Sequence, residues 1–171
     1  MGDRVVIMGL GNLLLTDDGA GVAALHLLAR TRRLPANVQL VDGGTLGLAL
    51  LDYFDPDSDL ILIDAVRTDA PPGTVVLFEG DDVAEAVGTR LSPHQVGVAD
   101  LLQAAEHTGL TPRRTVLVGV VPESLGLGIA RTPAVEASLP AMVDTVMSLV
   151  GDTGEERHAY VGMDVARALG L

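Results

Sequence analysis

The sequence predicts a three-layer α/β fold, doubly wound about a mostly parallel sheet with one antiparallel strand. Three observations carry that reading. Short apolar runs such as "VVIMGL", "LILI" and "TVLVGVV" do not alternate with polar residues. Such strands are buried on both faces, as in a parallel sheet covered by helices. Between them lie stretches with helical apolar spacing, so strand and helix alternate along the chain. One link, "RTDAPPG", is too short for a helical crossover and calls for a strand that reverses direction.

Taken in order, Val5–Leu10 is the first strand, and Val22, Leu25, Leu28 and Ala29 then form the apolar face of a helix. "VQLV" at Val38–Val41 is the second strand, and Leu46 to Tyr53 is a shorter helix. "LILI" at Leu60–Ile63 is followed, across the short link, by "TVVLFE" at Thr74–Glu79, expected to run antiparallel to the Leu60 strand. Val98, Leu101, Leu102 and Ala105 line another helix. Thr115–Val121 is the next strand. Val135, Leu139, Met142, Val143, Val146 and Leu149 line a further helix, which Thr132 and Pro133 enter as a cap and first-turn proline. A single α/β domain over 1–150 follows, with 151–171 a polar tail that ends in a short helix through Val161, Val165 and Leu169.

Composition narrows the function. The chain has 171 residues, a formal net charge of −12, no cysteine and no lysine. So acidic a chain is a poor ligand for nucleic acid or an anionic membrane. Without cysteine there is no thiolate metal site and no thiol nucleophile, and a cytoplasmic location is expected. No N-terminal stretch reads as a signal peptide, and no apolar run approaches the ~20 residues of a membrane span.

The turn "GLGNLLLTDDGAG", Gly9 to Gly21, imitates a dinucleotide-binding turn but departs from it. Leu14 stands where G-x-G-x-x-G needs its third glycine, and Asp17 and Asp18 would repel a pyrophosphate. In open α/β sheets ligands bind beyond the carboxyl ends of the strands, where the winding reverses. Asp18 lies in the loop after the first strand and Asp64 directly follows "LILI", so both are expected at one crevice. His94, in "SPHQ", is expected in the first turn of a helix that Ser92 caps, where the helix dipole favours a neutral, metal-ligating imidazole. Duller duties compete: either member of the acidic pair can cap the following helix, Asp64 can be a turn residue, and His94 can be a surface residue. Asp42 ends the second strand as turn former or crevice residue. His26, His107 and His158 carry no functional reading.

Taken together, "GLGNLLLTDDGAGV", "DGGTLG", "LILIDAV", "SPHQVGVADLL" and "LVGVVPESLGLGIARTPAVEASLP" resemble the hydrogenase maturation endopeptidases, in order and across Arg4 to Leu149. The resemblance implies a protease that removes a C-terminal extension from the precursor of a nickel–iron hydrogenase large subunit after nickel insertion. It places the metal-binding residues on Asp18, Asp64 and His94, with Asp where Glu is common in the family at position 18. It puts a further recurring Asp on Asp42, as a catalytic or substrate-contacting residue. Two carboxylates and an imidazole suit a divalent transition metal; that it is nickel, and that the substrate can supply it, comes from the resemblance alone. The sequence leaves open whether a metal or an aspartate activates water. A metal-binding or chaperone-like module without peptidase activity would use the same three residues.

Overall fold

The computed structural model describes residues 3–87 and 97–150, together with the backbone of 156 and 157. Its strands are β1 (Arg4–Leu10), β2 (Leu34–Pro35), β3 (Val38–Gly44), β4 (Ser58–Ala65), β5 (Val75–Glu79), β6 (Arg114–Val120) and β7 (Glu156–Arg157). The helices are α1 (Ala20–Thr31), α2 (Asp81–Val87), α3 (Val98–Thr108), α4 (Pro133–Glu136) and α5 (Leu139–Val150), with 3-10 turns at Thr16–Gly19 and Gly47–Tyr53.

Five strands form the main sheet in the order β3-β1-β4-β6-β5, and β2 pairs with β7 in a separate two-strand ladder. Neighbours β3, β1, β4 and β6 are parallel, and β5 runs antiparallel to β6. The three-layer, mostly parallel architecture with one reversed strand is thus present. β5 reverses as the short link requires, but its ladder partner is β6, which lies between it and β4. The link crosses over the end of β6, tied there by Val66 N to Val120 O (2.9 Å) and Gly73 N to Val121 O (2.8 Å).

The pleat explains why the strand runs do not alternate. Val5, Ile7, Ile61 and Ile63 pack on one face against α1 and α5, while Val6, Met8, Leu60 and Leu62 pack on the other, where Leu50, Val83 and Leu101 contribute. Both faces are covered, so both parities must be apolar.

Three local expectations are revised. The Leu46–Tyr53 segment is a 3-10 turn over Gly47–Tyr53. The helix expected through Val135 and Leu149 is two pieces, α4 and α5, because Pro140 has no N–H to give Glu136 and its ring collides with the preceding turn. Thr132 has the extended backbone of an N-cap, but its side chain caps nothing and is used elsewhere. The seven-residue helix α2 is additional; with only Val83 and Val87 buried, it is too short for a periodic signal. The helix start expected at Ser92–Gln95, with His94 inside it, lies outside the described residues. α3 begins at Val98, where Asp100 Oδ2 accepts from Gly97 N at 2.9 Å. The terminal helix expected beyond 157 also lies outside the described residues. No helix among the described residues is long and apolar enough to cross a membrane.

Candidate functional site

The winding reverses between β1 and β4: the chain leaves β1 for β3 on one side and returns to β4 on the other. In open α/β sheets such a switch point, beyond the carboxyl ends of two neighbouring strands, is where ligands bind. Asp18 stands there on the 3-10 turn that leads from β1 into α1, and that turn packs against β4. Asp64 is the penultimate residue of β4 and is fully buried. The structure thus brings Asp18 and Asp64 to the same strand ends.

Glycines make this approach possible. A Cβ on Gly21 would lie 2.1 Å from Ile63 O and 2.4 Å from Leu10 O, so α1 rests directly on the ends of β1 and β4. Gly11 has φ +121°, and a Cβ there would meet Asp18 O at 1.8 Å. Asp18 Oδ2 accepts from Asn12 N at 2.9 Å, and Asp64 Oδ1 accepts from Ala65 N at 2.8 Å.

Asp17, which the sequence reading treats as a helix cap at most, has a different duty. It is fully buried, 106 to 115 residues away in sequence from its partners. Its Oδ2 accepts from Glu123 N (2.9 Å), Ser124 N (3.0 Å) and the Thr132 hydroxyl (2.8 Å). Its Oδ1 accepts from Thr132 N at 2.7 Å. Burial pushes this carboxyl upward, but the N–H groups of Ser124, Thr132 and Glu123, with the Thr132 hydroxyl, prevail and hold it below its ordinary value. Asp17 therefore pins the loop after β6 to the loop after β1. The only sequence signal was the doubled acid, since one cap suffices.

Asp42 is placed by the pleat. It follows the parity of Leu40, which packs toward α1, whereas Asp64 follows that of Leu62, which packs on the opposite face. On the α1 face Asp42 Oδ2 lies 2.8 Å from His26 Nε2. An ionised carboxylate only accepts, so Nε2 carries the proton. His26 was passed over in the sequence because nothing local links residue 26 to residue 42; only the packing of α1 over β3 does.

His94 lies outside the described residues. Among the described residues, no group of three His, Asp or Glu is arranged to hold a metal ion. The two described candidates supply oxygen donors, and an imidazole from the segment preceding α3 is the third donor the sequence nominates. Such an O, O, N set suits a borderline divalent transition ion better than a soft one.

Known proteins resemble this chain in sequence and in fold. The family profile described as hydrogenase maturation protease matches residues 22–149. The hydrogenase 2 maturation protease of Escherichia coli K12 is 38% identical over 154 residues, covering 90% of this chain and 94% of that protein. The hydrogenase expression/formation protein HupD of Rhodobacter capsulatus is 39% identical over 150 residues, covering 86% of this chain and 71% of its own length. Among solved structures, the hydrogenase maturating endopeptidase HybD from E. coli superposes with a TM-score of 0.78 at 38% identity, covering 85% of this chain and 91% of that one. A chain with this strand order, this profile match and relatives of this extent belongs to the hydrogenase maturation protease family.

Proposed function

We propose that this protease is an endopeptidase that removes the C-terminal extension of a nickel–iron hydrogenase large-subunit precursor after nickel has been inserted. The observation that carries the reading is the meeting of Asp18 and Asp64 at the strand ends where the winding reverses. His94 completes the proposed donor set from its place in the sequence, just before α3.

In this reading nickel arrives as part of the substrate, and the three side chains bind it at the strand ends while the precursor is seated. A bound divalent ion supplies Lewis acidity and charge stabilisation at a peptide carbonyl. The chain's own residues do the rest. Gly11 and Gly21 let the carboxylates approach the strand ends, and Asp17 pins the loop after β6 to the loop after β1. Asp42, held by His26 on the α1 face at the end of β3, is the candidate catalytic or substrate-contacting residue. The lack of cysteine suits a reducing compartment, and the cytoplasm is the proposed place of action.

The test is incubation of the enzyme with nickel-loaded and metal-free precursor, following the C-terminus by mass spectrometry. Shortening of the loaded form is expected, with preference over the metal-free form. A preference of about a hundredfold corresponds to about 2.7 kcal/mol. Equal cleavage of both forms would overturn the role of nickel. Stable binding with no shortening would identify a metal-dependent chaperone instead. Calorimetric titration with nickel should show one site that His94→Ala weakens by more than about tenfold; unchanged affinity would remove His94 from the set.

A further inference from the structure

Seven large apolar side chains are exposed among the described residues, and six of them stand at one end of the sheet. Leu13 and Leu14 follow β1, Leu46 and Leu48 follow β3, and Leu127 and Ile129 follow β6. Leu127 is 89% and Ile129 79% exposed. Single exposed apolar residues are ordinary, but a cluster on adjoining loops marks an interaction surface.

These loops are joined to one another. Gly11 N donates to Gly44 O (3.0 Å), tying the loop after β1 to the end of β3. Thr16 N donates to Gly128 O (2.8 Å) and Gly128 N to Leu14 O (2.9 Å), so an isolated parallel β-bridge between Leu15 and Gly128 joins the β1 and β6 loops. The Thr16 hydroxyl donates to Ser124 O, and the buried Asp17 holds Glu123, Ser124 and Thr132. Thr16 also has φ +45°, a costly backbone for a β-branched residue, which these bonds keep in place. A buried carboxylate and a strained threonine thus hold in place the loop backbone that carries two bare aliphatic side chains, and a backbone organised before its partner arrives loses less entropy on binding.

We infer that this rim is the docking surface for an aliphatic segment of the hydrogenase precursor lying beside its cleavage site. The inference rests on the peptidase reading above. Position selects the occupant: the rim loops follow the same strand ends that carry Asp18 and Asp64, so a protein substrate reaching those residues lies across the rim. A second copy of this chain is disfavoured on two grounds. Two bodies of net charge −12 repel each other. Even if each side chain offered an aromatic's ~200 Å², the exposed fractions would stay below the ~800 Å² per partner of a standard stable interface.

The test uses the full chain with Leu127→Ser and Ile129→Ser combined, and Leu77→Ser as control. Leu77, 50% exposed, is also a bare aliphatic side chain but lies on the edge strand β5, away from the rim. Both variants should melt with the wild type, since the altered side chains are exposed. Direct binding of nickel-loaded precursor and its cleavage are measured together, with sedimentation velocity on the enzyme alone. The double variant is expected to weaken precursor binding and raise KM by at least about tenfold, with kcat within about twofold, while Leu77→Ser behaves as wild type. Unchanged binding in the double variant overturns the inference. So does a wild-type dimer that the double variant dissolves, because the rim is then a contact between copies. Wild-type enzyme that binds the precursor without shortening it refutes the peptidase reading alone, and the comparison of binding still judges the rim.

Discussion

Replacing Asp17 by alanine tests whether that carboxylate is what holds the β1 and β6 loops together. The side chain is fully buried and accepts from three backbone N–H groups and one hydroxyl. Alanine leaves all three N–H donors without an acceptor, and each such buried donor costs about 1–3 kcal/mol. The low end applies, because the loop lies at the surface where water can enter, and because removing the charge also removes the cost of burying it. The expected loss is about 3 kcal/mol at neutral pH. For a chain of this size that lowers Tm by about 6–12 °C. Asp17→Asn keeps one acceptor oxygen but turns a second donor group toward N–H donors, so it should fall between alanine and wild type. The sign with pH follows from the folded-state value lying below the ordinary 3.8. The stabilisation is complete above that ordinary value and disappears as pH falls through the lower, folded-state one, so wild type and Asp17→Ala should converge on acidification. Calorimetry over a pH series measures the gap. Hydrogen exchange at the amides of Glu123, Ser124 and Thr132 locates it, and these amides should lose protection first. A neutral-pH Tm within about 1 °C of wild type, with those amides still protected, would refute the reasoning.

Two further perturbations have definite outcomes. Gly21→Ala would set a Cβ 2.1 Å from Ile63 O and 2.4 Å from Leu10 O, both backbone atoms of a central sheet that cannot retreat. We expect at least about 3 kcal/mol of destabilisation; a wild-type urea midpoint would show that α1 can lift away at no cost. For His26, nitrogen-edited NMR of the ring at neutral pH should find the tautomer protonated at Nε2, because its partner is the acceptor-only carboxylate of Asp42 at 2.8 Å. A ring protonated at Nδ1 alone would dissolve the pair.

Local pattern determined much of this protein. The both-faced apolar runs announced covered strands, and the short "RTDAPPG" link announced the reversed one, because strand burial and loop length are properties of a few consecutive residues. Asp18 and Asp64 were legible for the same reason: a carboxylate just after an apolar strand in an α/β sequence falls at the strand's carboxyl end. Tertiary structure alone decided the rest. That β6 separates β4 from β5 depends on how the link crosses the sheet. The break between α4 and α5, by contrast, is a local effect of Pro140 that the continuous apolar face concealed. Asp17 looked like one half of a capping pair, yet its partners are more than a hundred residues away and are mostly backbone N–H groups, which no side-chain pattern advertises. His26 meets Asp42 because α1 crosses β3, and the pleat turns Asp42 and Asp64 to opposite faces. The exposed rim is likewise invisible in composition, since Leu127 and Leu117 read alike until the fold buries one and leaves the other 89% exposed. Strand and helix periods are written in neighbouring residues; pairings between distant loops arise only when the sheet brings their ends together.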